Sequence, residues 1–186
     1  MTTISRATAA TAALLLTLTL AACSTADGGS SDDSAAPASA SADSNASGGD
    51  CAGVAVVVET ADLGLSEADS PAGSTCIDTD AAILASDAVA EAGLTTEGTD
   101  EYGDQVVCRV NGVPAADFAL TAEDGSDYFE TCASMPAAFA YWSLWTKPAD
   151  GEWGYAEEGL STLELEPGES LELLFTVNGE PAAPTA

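Results

Sequence analysis

The chain contains no histidine, and only three of its 186 residues are basic. Without imidazole it lacks the usual general base, the usual transition-metal ligand and the usual partner of a nucleophilic serine. The basic residues are Arg6, Arg109 and Lys147, against 31 Asp and Glu, for a net charge of −28. Such a surface repels nucleic acid and anionic headgroups; cations, basic surfaces and small neutral ligands are the permitted partners. Lys147 sits in an expected turn beside Pro148, which argues against a Ser–Lys hydrolase. No Gly-rich loop follows a strand and opens a helix, so nothing supports nucleotide binding. No CxxC pair is present, which argues against zinc. Neither Asp78-Thr79-Asp80 nor Asp124-Gly125-Ser126-Asp127 meets the EF-hand pattern. Two carboxylates could hydrolyse a glycoside, but among so many acids no pair stands out. Taken together, these absences point away from an enzyme and assign no cofactor and no metal.

One short apolar run, residues 13–20, follows Arg6 near the N-terminus. It is too short to span a bilayer, which takes about 20 apolar residues. It ends in Leu20-Ala21-Ala22-Cys23, and the sequence beyond is polar. This stretch resembles the lipobox of a bacterial lipoprotein signal. The resemblance implies removal of residues 1–22 and a lipid on the Cys23 sulfur, which tethers the chain to the outer face of a cell membrane. Each buried lipid methylene adds about 0.8 kcal/mol, and two or more chains anchor stably. The expected mature chain keeps two cations, Arg109 and Lys147, against 31 acidic residues, a net −29.

Five cysteines would be an awkward odd count for an exported protein. With Cys23 given to lipid, Cys51, Cys76, Cys108 and Cys132 remain, and four cysteines allow three pairings. Cys51–Cys76 and Cys108–Cys132 are favoured, because each closes a loop of about 25 residues between neighbouring strands, stabilising by about 3 kcal/mol. Residues 24–50 are nearly all Ser, Ala, Asp and Gly with Pro37, and lack any large apolar residue. They cannot bury enough surface to offset their ordering entropy, and as a flexible coil they would reach about 30 Å. With lipidated Cys23 they form a linker, residues 23–50, ahead of one domain over residues 51–186.

That domain opens with Val54-Ala55-Val56-Val57-Val58, a β-branched run that reads as a buried strand. Residues 74–78 read as its hairpin partner. Asp80 is a plausible N-cap for a helix through Ala92, with Gly93 placed to stop it in the left-handed conformation. Residues 105–110 make a third strand, ended by the turn signal Asn111-Gly112. Residues 115–136 are hard to read. Residues 139–146 form an aromatic strand, 153–156 its partner beyond a turn, and 170–177 the last strand. The order suggests an α+β domain, with one helix packed across a mixed sheet.

All three tryptophans lie within 12 residues, in Tyr141-Trp142-Ser143-Leu144-Trp145 and Trp153-Gly154-Tyr155. On a strand Tyr141, Ser143 and Trp145 share one face, and Trp142 lies on the other. One face must pack against the helix; the second can offer a flat amphipathic platform. Trp142 reads as core. Tyr141, Trp145, Trp153 and Tyr155 are the candidate ligand-binding residues, weighed against simple cross-strand packing.

These residues carry a second resemblance. Val107-Cys108-Arg109-Val110-Asn111-Gly112-Val113-Pro114, then a cysteine, then Ala140-Tyr141-Trp142-Ser143-Leu144-Trp145 and Trp153-Gly154-Tyr155, resemble secreted actinobacterial proteins with a transcobalamin C-terminal-like domain. Ala88 to Gly93 and Pro167-Gly168-Glu169-Ser170-Leu171-Glu172 are similar to that domain's helix end and last-strand turn. The resemblance implies a β-grasp-like fold, a Cys108–Cys132 disulfide, and a corrinoid or related small ligand. The chain departs from the animal carriers in lacking the α-barrel domain that completes their cobalamin site, and in lacking a histidine for cobalt. The expectation is a non-enzymatic surface lipoprotein that binds a small ligand, as an accessory to cobalamin or other micronutrient uptake. The rival expectation is an envelope protein that contacts a protein or polysaccharide partner.

Overall fold

The computed structural model describes residues 51–186. The expected signal over residues 1–22, the lipidation site Cys23 and the linker 24–50 lie outside the described residues. The valine run forms β1 (Val54–Thr60), which pairs antiparallel with β2 (Gly73–Ile77), Val56 opposite Thr75. At Gly53 a Cβ would collide with the Ile77 carbonyl, so only glycine lets the hairpin close there. Cys51 and Cys76 are joined at that end, with Cα atoms 5.6 Å apart.

The expected helix starts later than Asp80. A two-residue strand, β3 (Ile83–Leu84), comes first, and α1 is Ala85–Glu91. The cause is tertiary. Ile83 and Leu84 stay extended to pair with Leu165 and Glu164. The first helical amides, Ala85 and Ser86, donate to the Leu163 and Leu160 carbonyls. Backbone from a distant loop thus satisfies groups that a side-chain cap would otherwise serve. The helix stops at Gly93 (φ 77°), where Gly93 N–H donates to Ala90 and Leu94 N–H to Val89, a Schellman arrangement.

β4 (Thr96–Thr99) pairs with β5 (Gly103–Val110) through a bulged register. Asn111 and Gly112, both at positive φ, turn the chain after β5. A small hairpin, β6 (Leu120–Thr121) with β7 (Asp127–Tyr128), lies within residues 115–136, where the sequence shows no clear periodicity. The aromatic strand is β8 (Ala140–Lys147) and its partner β9 (Gly154–Tyr155). β10 (Glu164–Leu165) holds β3, and β11 (Ser170–Val177) is the last strand.

The five-stranded sheet runs β2-β1-β11-β8-β9. The first and last strands lie side by side and parallel at its centre, and every other pair is antiparallel. With the helix placed between hairpin and aromatic strand, this is an α+β fold of β-grasp-like order. Inner-face residues Val54, Val56, Val58, Leu171, Leu173 and Phe175 meet Ala85, Ala88 and Val89 of the helix in one apolar core. The opposite face is buried too: Ala55, Val57, Glu172 and Leu174 are each at most 3 % exposed. Covering both faces explains why β1 reads as a continuous apolar run.

The second disulfide joins Cys108 on β5 to Cys132. Cys132 sits in a loop at φ 58°, not on a neighbouring strand. Beside it Arg109 is buried. Its Nε donates to the Pro114 carbonyl and its Nη2 to the Glu130 carbonyl, while Nη1 meets Glu97 Oε1 at 2.8 Å. One of the two cations beyond residue 50 is therefore spent on holding loops.

Candidate functional site

The pleat of β8 separates the aromatics, as expected. Trp142 turns inward against Phe175, ring centroids 5.1 Å apart, and its Nε1 donates to the Val113 carbonyl. It is core, as its spacing implied. Tyr141, Ser143 and Trp145 take the other face.

The four candidate residues do not form one platform. Trp145 is only 7 % exposed. It stacks under Tyr155 at 3.9 Å between centroids, and its Nε1 donates to Ser143 Oγ. Trp145 therefore braces Tyr155 and presents little of its own ring. The cross-strand partner of Trp145 is Tyr155, with no role for Trp153 in that pair. Trp153 sits apart, donating from Nε1 to the Ala186 carbonyl, with the Lys147 ammonium 5.5 Å from its ring centre. Tyr141 and Tyr155 do come together. Partial desolvation raises the Tyr155 hydroxyl above its ordinary pKa, and the adjacent Tyr141 hydroxyl raises it further.

Those two tyrosines border a groove between β5 and β8. One hollow of about 340 Å³ is lined by Gln105, Tyr141, Leu144, Tyr155 and Glu158 among others. A second, of about 380 Å³, includes Pro136 and Ala137, and shares Val106, Met135, Tyr141 and Trp142 with the first. The groove exists because β9 covers only the end of β8: Ala156 N–H donates to the Leu144 carbonyl, and pairing involves Trp145 and Thr146 alone. Upstream of that point the edge of β8 faces β5. Met135 and Tyr155, each 60 % exposed, stand at the groove as large apolar side chains in water. The lining contains no Lys or Arg, and Glu158 is its single carboxylate.

The chain matches no known family model, no curated protein and no solved structure. The site is accordingly read from its own chemistry. The lining offers phenols, an amide, a thioether, aliphatic surface and one carboxylate. The Ser143 hydroxyl is already engaged, accepting from Trp145 and donating to the Leu174 carbonyl. No activated nucleophile faces the groove, whose walls suit contact over area with a few polar anchors.

Sequence reasoning missed Val106 and Met135. Val106 lies in a run of two valines that gives no alternation, and Met135 lies in the segment that was hard to read. The faint available signal was Met135-Pro136, an apolar residue ahead of a proline in a loop pinned by Cys132.

One further cluster gathers ligand-type atoms, Cys108, Glu130 and Cys132. Its sulfurs are joined to each other. The Glu130 carboxylate accepts from the Tyr128 hydroxyl at 2.8 Å and from the Cys132 amide at 2.7 Å. Burial, with the Glu130 hydrogen bond and charge next, pushes the Tyr128 phenol up to about 12. These contacts make the cluster a structural knot with its donors and acceptors already matched.

Proposed function

We propose that the folded region is a non-enzymatic recognition module, carried on the outer face of a membrane by lipidated Cys23. Its β5–β8 groove takes the flat face of a planar or hydrophobic ligand. The supporting observation is the pair of adjoining hollows that share Tyr141, Trp142, Val106 and Met135. Rigid rings supply contact area at low entropy cost, and Trp145 stacked beneath Tyr155 fixes that ring in advance of binding. The lack of cations in the lining favours a neutral or positively charged ligand.

The resemblance of residues 107–114 and 140–155 to transcobalamin-type domains makes corrinoids the first class to try. Capture of such a ligand at the surface would serve micronutrient uptake. Isothermal titration of the purified protein with cobalamin, cobinamide and haem tests the reading. Heat accompanied by quenching of tryptophan fluorescence is expected for at least one. Neither heat nor quenching with any of them at millimolar ligand would remove the proposal. Cys23→Ser should free the protein from membranes; membrane retention with continued lipid labelling of that variant would remove the tether.

A further inference from the structure

Glu172 is fully buried on the face of the sheet away from the helix, and neither of its carboxyl oxygens has a hydrogen-bond donor among the described residues. A carboxylate left in that state is costly, and native structures rarely leave one without a reason. Its neighbour is a second acid. In the parallel pairing of β1 with β11, Glu172 lies opposite Val57 and Glu59 opposite Leu174, so the two glutamates are diagonal neighbours on one face. As two carboxylates both could only accept; with one proton between them, one donates to the other.

Glu59 is also where the C-terminal tail attaches. Its carboxylate accepts from the Thr185 amide at 3.1 Å and from the Thr185 hydroxyl at 2.7 Å. The tail, residues 181–186, is held at two further points. Thr176, on the same face of β11 as Glu172, donates to the Pro181 carbonyl, and Trp153 donates to the Ala186 carbonyl.

We propose that Glu59 and Glu172 share a single proton, and that this proton fastens the C-terminal tail to the outer face of the sheet. With the proton in place, Glu172 donates to Glu59, and the single charge on Glu59 accepts from Thr185. Without it, two negative charges sit side by side in a site with no donor for the second, and opening the tail to water relieves them.

Among the described residues no cation compensates the pair. Directly opposite Glu172 on β8 is Trp145. Lys147, two residues on, places its ammonium over Trp153. On β2, Ser74 and Cys76 carry no charge. The Glu169 carboxylate is turned to the Glu166 amide. The tail contributes the uncharged Thr185, and the other titratable groups in the hollow beside Glu59, Asp62 and Glu180, are acids as well. Consistent with this, burial first and Glu59 second push the Glu172 carboxyl up to about 8.

The test uses the full-length protein with ¹³C-labelled glutamate carboxyls, titrated from pH 4 to 10 beside Glu172→Gln. One carboxyl is expected to titrate near 8, and its resonance should vanish in the variant. Carboxypeptidase trimming of the tail supplies the second readout. The wild-type rate divided by that of Glu172→Gln should be near unity at pH 6.5 and rise several-fold by pH 9. All carboxyls titrating in the ordinary acid range, or a flat rate ratio, would overturn the proposal. So would a shift of the Glu172 resonance on adding calcium at pH 7, since the pair would then hold a metal in place of a proton. If Glu172→Gln does not fold, Glu59→Gln keeps an acceptor for Thr185 and should move the Glu172 titration to lower pH; no movement would count equally against the shared proton.

Discussion

The two faces of the central sheet are built from the same strands but solve different problems. Toward the helix, Leu171, Leu173, Phe175 and Trp142 pack against Ala85, Ala88 and Val89, hydrocarbon on hydrocarbon, with one indole N–H satisfied by the Val113 carbonyl. On the other face, equally dry positions hold Glu172, Thr176 and Trp145. There the cover includes the C-terminal tail, fixed by hydrogen bonds to Thr176 and Glu59. The inner face can be stabilised by area alone. The outer face depends on polar groups being matched, and so on protonation and on the tail staying in place. The β5–β8 groove, the proposed binding site, opens at the sheet edge, where Tyr141 and Tyr155 continue the outer face away from that cover.

Removing both disulfides is the severest way to break this contrast. Each closes a loop with a sequence separation of 25 or 24, and loops of that size contribute about 3 kcal/mol apiece in the chain-entropy model. Reduction should lower the melting temperature by many degrees, as followed by circular dichroism. An unchanged melt would show that the crosslinks do not hold the hairpin and the β5 loop.

Adjacent leucines on β11 sharpen the comparison. Leu173 and Leu174 are both fully buried, on opposite faces. Leu173→Ala should cost about 2–5 kcal/mol in denaturant unfolding, as truncations in rigid cores do. Leu174→Ala should cost less, because a tail held by a few hydrogen bonds can settle into the space. Equal losses would mean that the outer cover is as rigid as the core.

Proton linkage gives an effect that is small within any one pH unit and has a definite sign. The Glu172 carboxyl is raised in the fold from 4.5 to about 8, chiefly by burial. Its contribution to stability is therefore complete below about pH 4.5 and is lost as pH rises toward 8. The slope in that window is at most about 1.4 kcal/mol per pH unit. Unfolding free energies measured every half unit of pH should show this decline, and Glu172→Gln should flatten it. A variant with the same slope would place the titrating group elsewhere.

Much of this architecture was legible in the residues. The valine run, the Asn111-Gly112 turn, the glycine at the helix end and the last strand were found where pattern placed them, because local chemistry and tertiary need agree there. The helix start was not legible. Asp80 has the right chemistry for a cap, but the chain stays extended through Leu84 because a distant loop supplies the Leu163 and Leu160 carbonyls to Ala85 and Ser86. β4 was invisible because Thr96-Glu97-Gly98-Thr99 is short, polar and bulged. Of the aromatic candidates, period-two alternation assigned Trp142 to the core and Tyr141 to the other face. It could not show that Tyr155 would lie on top of Trp145, or that Trp153 would turn to the chain end. Glu172 was hidden among 31 acids, since burial of one carboxyl leaves no mark in composition.

Residues that hold the fold are separate from those proposed to meet a ligand. Tyr155 tests that division most directly, since it is 60 % exposed yet braced by Trp145. For whichever of the three probes binds, affinity and melting temperature should be measured together for wild type and Tyr155→Ala. A loss of about tenfold or more in affinity, the scale of an aromatic anchor, with the melt little changed is the predicted result. Unaltered affinity in the variant would contradict the groove as the binding site.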